Sequence, residues 1–198
     1  MPHWDVASAG SLFDADLPPG FLYRDDFITP DEEAALAEEI AHVDFSTFTM
    51  RGVVARRRVA FFGRSYDAAS SPVLPLPAFL LPLRERLAGW AKVDPGSFAM
   101  ALINEYQPGA PVGWHRDAPQ YGIVAGVSIL SACRMKFRRY AAPRAHAAMN
   151  GPRTATHEIV LEPRSAYLMT GEARDGYEHH VPPVPALRYS ITFRTIRK

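Results

Sequence analysis

A chain of 198 residues, 47% hydrophobic and 22% charged, has the balance of one globular domain with its own core. Lys plus Arg number 22 against 21 acids, a net charge of +1, which excludes a uniformly basic nucleic-acid coat and an acidic disordered tail. The longest apolar runs, 76–83 (interrupted by Pro77 and Pro82) and 123–130, fall well short of the ~20 residues of a membrane span, and the single cysteine, Cys133, excludes a disulfide framework or a multi-cysteine zinc site. The start Met-Pro-His-Trp-Asp carries neither a basic stretch nor an apolar run. No secretory leader is expected, and a reducing cytoplasm is the expected compartment.

In chain order, Thr29-Pro30-Asp31-Glu32 is a helix start: Thr29 caps, Pro30 suits the first turn and Glu32 closes a capping box. Leu36, Ile40 and Val43 follow at helical spacing and predict a helix over 30–42. A second helix is predicted over about 77–92, with Leu80, Leu83, Leu87 and Trp90 on one face and Asp94-Pro95-Gly96 ending it. After residue 97 the apolar period changes from 3.6 to 2. Met100, Leu102, Asn104 and Tyr106 share one face of a strand, Ala101, Ile103 and Glu105 the other. Gln107-Pro108-Gly109 is a turn; strands are expected at 126–131, 134–140, 158–161, 165–169 and 188–195, with a mobile loop at 141–156. Helices first and short strands afterwards predict an α+β domain. About 1–96 would supply N-terminal helices and a substrate lid, and 97–198 an antiparallel sandwich or barrel.

The near-zero net charge hides a segregation. Residues 25–39 hold seven acids and no base; 45–66 hold Arg51, Arg56, Arg57, Arg58 and Arg64 and no acid; 118–157 hold six bases and no acid. Two acid-free basic segments suggest one positive face, against the plainer alternative of solvated strand surfaces.

His115-Arg116-Asp117 puts an imidazole and a carboxylate at i and i+2, one face of an extended backbone. With His179, 62 residues beyond Asp117, they make two histidines and one carboxylate, a set suited to non-haem Fe(II) and also acceptable to zinc. His180 is the neighbouring alternative to His179. On the last strand Arg188, Ser190, Thr192 and Arg194 share a face. The two guanidiniums stand about 20 Å apart at ~3.3 Å per residue, suiting a dicarboxylate, or a carboxylate plus a metal-bound acid.

The run Leu102-Ile103-Asn104-Glu105-Tyr106-Gln107-Pro108-Gly109, then Gly113-Trp114-His115-Arg116-Asp117, Gly171-Glu172-Ala173-Arg174, the His-His-Val-Pro-Pro of 179–183 and Arg188-Tyr189-Ser190-Ile191-Thr192-Phe193-Arg194 resembles the core of the AlkB-type 2-oxoglutarate/Fe(II) dioxygenases. The resemblance covers roughly 98–198, with a weaker match at 51–63. It implies a double-stranded β-helix (jelly-roll) with iron in one mouth, held by His115, Asp117 and His179. It further implies that Arg188, helped by Tyr106 and Ser190, binds the side-chain carboxylate of 2-oxoglutarate. Arg194 and Asn104, with Thr192 nearby, would hold the carboxylate at the iron end, and Leu102 would pack beside the cosubstrate. The family pattern of His, any residue, an aliphatic and Pro selects His179 over His180. The implied chemistry uses O2 and 2-oxoglutarate to oxidise an N-alkyl group, which then leaves as an aldehyde.

The expected substrate is an alkylated nucleic acid, presented as a single strand or a flipped base. Arg51, Arg56 and Arg58 would grip phosphates, Phe61, Phe62 and Tyr66 would offer stacking platforms, and Trp114 would wall the site. A monomer with no membrane partner is expected. The sequence departs from nucleic-acid-repairing members, which often carry a further acid just after the Asp; here Ala118-Pro119-Gln120-Tyr121-Gly122 follows. Two other readings stay open: a 2-oxoglutarate-dependent hydroxylase or demethylase of a protein or small molecule, and a non-catalytic nucleic-acid-binding jelly-roll domain.

Overall fold

A computed structural model describes residues 17–50, 53–64, 74–140 and 155–197. The predicted helices form at the expected places. Helix α1 (Pro30–Ala41) begins with the complete capping box: the Glu32 amide donates to Thr29 Oγ1 at 3.2 Å and the Thr29 amide to Glu32 Oε2 at 2.8 Å. A 3-10 turn (Ala78–Leu80) leads into α2 (Leu81–Ala91), which places Pro82 in the first helical turn, where its missing N–H costs no hydrogen bond. Both helices press apolar faces, including Ile40, Leu83 and Leu87, onto one side of a sheet.

That sheet has seven antiparallel strands in the order β1 (Phe21–Arg24), β9 (Ala166–Met169), β6 (Tyr121–Ile129), β11 (Arg188–Ile196), β4 (Phe98–Tyr106), β3 (Val53–Gly63) and β2 (Ser46–Met50). A second sheet has the order β5 (Val112–His115), β10 (Tyr177–Val181), β7 (Cys133–Arg139) and β8 (Thr156–Leu161). From β4 onward the chain passes repeatedly from one sheet to the other, and this alternation is the double-stranded β-helix. The turn after β4 closes with Ala110 N–H donating to Gln107 O at 2.9 Å, with Gly109 at φ +82°, a value that favours glycine.

Alternation gives each large-sheet strand two apolar contexts. Ala101, Ile103, Tyr189, Ile191 and Phe193 face the helices, while Leu102, Asn104, Tyr106, Arg188, Ser190, Thr192 and Arg194 face the second sheet. Register fixes rows across the sheet: Tyr106 beside Arg188; Asn104, Ser190 and Ser128; Leu102, Thr192, Gly126 and Tyr167; Met100, Arg194 and Val124. The polar stripe of the last strand therefore points inward.

Several expectations need amending. Residues 1–96 contribute more than helices and a lid, because β1, β2 and β3 join the large sheet. Strand β6 starts at Tyr121 rather than 126, and β5, β10 and the short helix α3 (Gly171–Asp175) were not foreseen. The expected mobile loop lies outside the described residues over 141–154, and Thr156 already opens β8.

The expectation of one positive face also changes. The second basic segment meets acids from neighbouring strands and from α3: Arg134 and Lys136 pair with Glu158, Arg138 with Glu178 and Arg139 with Glu172. Pairing across strands neutralises charges that look uncompensated along the sequence.

Candidate active site

A cavity enclosing about 70 Å³ lies between the sheets, with Arg188 at one end and His115 and His179 toward the other. His115 and His179 are direct cross-strand partners on β5 and β10, which brings their rings to a centroid separation of 4.1 Å. Asp117 follows β5, and its Oδ2 stands 3.8 Å from His179 Nε2. His180 points to the outer face. Its Nδ1 donates to Val112 O at 2.5 Å, and its ring lies 5.1 Å from that of Trp114. The structure thus brings His115, Asp117 and His179 together and takes His180 away.

Asp117 is held from the opposite sheet. Arg194 reaches Asp117 Oδ1 through Nε at 2.8 Å and through a terminal nitrogen at 2.7 Å. Burial alone would raise this carboxyl, but Arg194 and the two imidazoles hold it well below the usual carboxylate range. Of the two alternatives for the paired arginines, Arg194 therefore engages an acid of the protein itself. Its other terminal nitrogen, beside Met100 Sδ at 3.6 Å, meets no described carboxylate, which is compatible with the expected contact to a cosubstrate carboxylate.

Asp117 Oδ2 is buried and has no hydrogen-bond partner. Burial depresses His115, and drives His179 down to about 3 with His115 adding to it, so both rings are neutral imidazoles at neutral pH. His115 Nδ1 donates to Gly113 O at 2.9 Å, which leaves Nε2 as the free lone pair. No three His, Cys, Asp or Glu side chains among the described residues already close around an ion position. The donor set nevertheless fits a divalent cation: two neutral imidazoles and an ionised oxygen with nothing else to pair with.

Arg188 is 2% exposed. It donates through Nε to Ser128 Oγ at 3.1 Å and sits over the Tyr106 ring at 5.0 Å. No described carboxylate lies within ion-pair distance of it, and a buried cation without an acid is costly. Asn104, Ser190, Thr192 and Leu102 line the wall between the two arginines. Asn104 Oδ1 accepts from Arg57 Nε at 3.1 Å.

The lid residues divide by strand parity. Arg57 lines the cavity, and Phe61, 40% exposed, shares the cavity-side face through its register with Leu102. Arg58 turns to the helix side and pairs with Glu105 at 2.7 Å, and Phe62 is buried there in the core. Phosphate gripping by Arg58 and stacking by Phe62 are thereby corrected, because alternation places them away from the mouth. Arg56 is exposed and shares the parity of Arg58. Trp114 lies outside the cavity, under the Arg138 guanidinium at 4.4 Å, so it does not wall the site. Arg51 and Tyr66 lie outside the described residues.

Sequence reasoning missed three residues. Arg57 stood among three consecutive arginines, whose parity only the register decides. Arg174 of α3, buried, donates to Ala118 O at 2.6 Å and Tyr121 O at 2.9 Å and so pins the segment that follows Asp117. Tyr167 lines the cavity from β9, and its row beside Gly126 was the signal that could have found it.

Fold and site together define a jelly-roll oxygenase. The family model described as the 2OG-Fe(II) oxygenase superfamily matches residues 23–194, and the chain belongs to that family. Within it the chain is AlkB-like. It is 30% identical over 191 residues to the alkylated DNA repair protein ALKBH8 homolog of Arabidopsis thaliana, covering 87% of this chain and 54% of the relative. It is 26% identical to the probable RNA/DNA demethylase ALKBH6 of Danio rerio, covering 73% and 59%. The chain thus spans little more than half the length of these relatives. The solved structure of OsALKBH1 superposes with a TM-score of 0.62 at 13% identity, over 90% of this chain and 99% of that one. A Pseudomonas putida prolyl-4-hydroxylase gives 0.62 at 12%, over 90% and 93%. These two likenesses show the fold.

Proposed function

We propose that this oxygenase removes alkyl groups oxidatively from the nitrogens of nucleobases in DNA or RNA. The observation that carries the reading is one cavity lined by His115, His179 and a buried arginine with no described acid beside it, with the ionised Asp117 next to the two neutral histidines. His115, Asp117 and His179 would hold Fe(II), and Arg188 with Tyr106 would receive a carboxylate of 2-oxoglutarate. With O2, the bound iron and 2-oxoglutarate supply the oxidation of a C–H bond, coupled to formation of succinate and CO2.

The chain's own residues arrange the reactants. Arg194 fixes the rotamer of Asp117, Arg174 anchors the segment behind it, and Leu102, Val112, Met135 and Leu161 keep the inner chamber apolar. Arg57 and Phe61 stand on the cavity face of β3, where a phosphate partner and a stacking surface serve an everted base. The printed names of the Arabidopsis and zebrafish relatives, which refer to alkylated DNA and to RNA/DNA demethylation, support this substrate class.

The test is succinate release under Fe(II), ascorbate and 2-oxoglutarate with methylated oligonucleotides and methylated peptides. Stimulation by oligonucleotides, with an equimolar aldehyde, is expected. Stimulation by peptides alone would move the enzyme to protein substrates and leave the cavity assignments in place.

A further inference from the structure

We propose that Tyr167 is a cosubstrate-binding residue, whose hydroxyl donates a hydrogen bond to an oxygen of the 2-oxo acid lying between Arg188 and Arg194. The proposal rests on the reading of this cavity as the 2-oxoglutarate site and adds a binding group to it.

Three observations lead there. The first is placement. In the row of cross-strand partners Thr192, Gly126 and Tyr167, Thr192 belongs to the strand that carries both arginines, two residues from Arg194 and four from Arg188. Tyr167 is on the cavity side of β9, lines the cavity and is 8% exposed.

The second is the cradle. A Cβ on residue 126 would lie 2.3 Å from Tyr167 Cζ, 2.4 Å from Cε1 and 2.6 Å from the hydroxyl oxygen. The phenol ring therefore lies flat across the β6 backbone, and only glycine permits this. Phe21 stacks on the ring at 5.8 Å and 16°, which fixes its tilt. A glycine inside a central strand weakens that strand, and the close approach of this ring is what it makes possible here.

The third is an unused donor. Among the described residues the Tyr167 hydroxyl makes no hydrogen bond, although the ring is buried. Burial, and then the Asp117 charge, push its pKa upward, so it remains a protonated donor. The hydroxyl of this cavity-lining ring is therefore an available donor, and a 2-oxo dicarboxylate in the cavity offers several acceptors.

The experiment titrates 2-oxoglutarate into the Mn(II)-loaded protein by calorimetry, comparing wild type, Tyr167→Phe and Arg188→Met. Tyr167→Phe keeps the ring on Gly126 and removes only the donor. It is expected to weaken 2-oxoglutarate about tenfold, as for one hydrogen bond to a charged group, with Mn(II) affinity unchanged. Wild-type affinity in Tyr167→Phe, beside a clear loss in Arg188→Met, overturns the role of Tyr167 and leaves the cavity reading standing. Wild-type affinity in both, or no binding to the wild type, overturns the cavity reading and the proposal with it. If Tyr167→Phe loses its native circular dichroism, Gly126→Ala takes its place: it keeps the hydroxyl but forces the ring aside. Wild-type affinity there overturns the proposal equally.

Discussion

The carboxylate of Asp117 is divided between two partners. Oδ1 takes both contacts from Arg194, and Oδ2 faces His179 with no hydrogen bond of its own. Asp117→Ala should abolish metal binding, and it also strands a buried guanidinium. We expect it to destabilise the fold by about 3 kcal/mol, as when one partner of a buried ion pair is removed. Replacing both residues, Asp117→Ala with Arg194→Met, should recover part of that loss while metal binding stays absent. Urea denaturation of the single and double variants checks this; equal stability of Asp117→Ala and wild type would show that the pair is not buried in solution. The two adjacent histidines separate in the same way: Mn(II) titration followed by paramagnetic resonance should show binding in His180→Ala and none in His179→Ala, and the reverse would exchange them. At this scale the sequence was most legible where motif and parity agreed, as along Arg188, Ser190, Thr192 and Arg194. It was least legible where identical neighbours hid the parity, as at Arg56, Arg57 and Arg58, and where the partner was remote in the chain, as for Arg194 with Asp117.

Elements announce themselves when their local chemistry is redundant. Helix α1 carries a cap, a proline at its start and an apolar stripe, and all three agreed. Its Glu32 also pairs with Arg86 of α2 through an ion pair, so the cap ties the two helices together. Arg86, then the Thr29 amide, lower the Glu32 carboxyl to about 2 from its ordinary 4.5. A lowered folded-state value means that the contribution is present above pH 4.5 and lost as pH falls toward 2. The pair is solvent-exposed, so that pH-dependent part is small, about 0.5 kcal/mol. Thr29→Ala should cost about 1 kcal/mol at neutral pH, and Arg86→Met should flatten the stability change between pH 4.5 and 2. Urea midpoints across that range measure both effects. The strands that escaped notice lacked such redundancy. Strand β5 has four residues and β10 five, and β3 runs through three consecutive arginines that mask its alternation. Their identity as strands comes from pairing with β10, β7 and β4, which is tertiary information.

At the scale of the whole molecule, the charge pattern sets what the proposed nucleic-acid substrate would meet. Along the chain the bases cluster, but in the fold Arg134 and Lys136 share Glu158, Arg138 has Glu178, Arg58 has Glu105 and Arg164 has Asp26 and Glu33. With a net charge of +1 and these bases paired among the described residues, long-range electrostatic attraction of a nucleic acid is expected to be small. On the proposed nucleic-acid reading, recognition then depends above all on Arg57, which lines the cavity. Single-stranded oligonucleotide binding is therefore expected to be weak and only shallowly dependent on salt, since each neutralised phosphate contributes about 0.7 to the slope of log K against log salt. Arg57→Ala should weaken binding and reduce that slope by about 0.7, while Lys136→Ala, on the outer face of the smaller sheet, should change neither. Fluorescence anisotropy across a salt series separates the outcomes. A steep slope that falls with Lys136→Ala would place the nucleic acid on the outer sheet face, and a slope of zero in the wild type would remove phosphate from the recognition altogether.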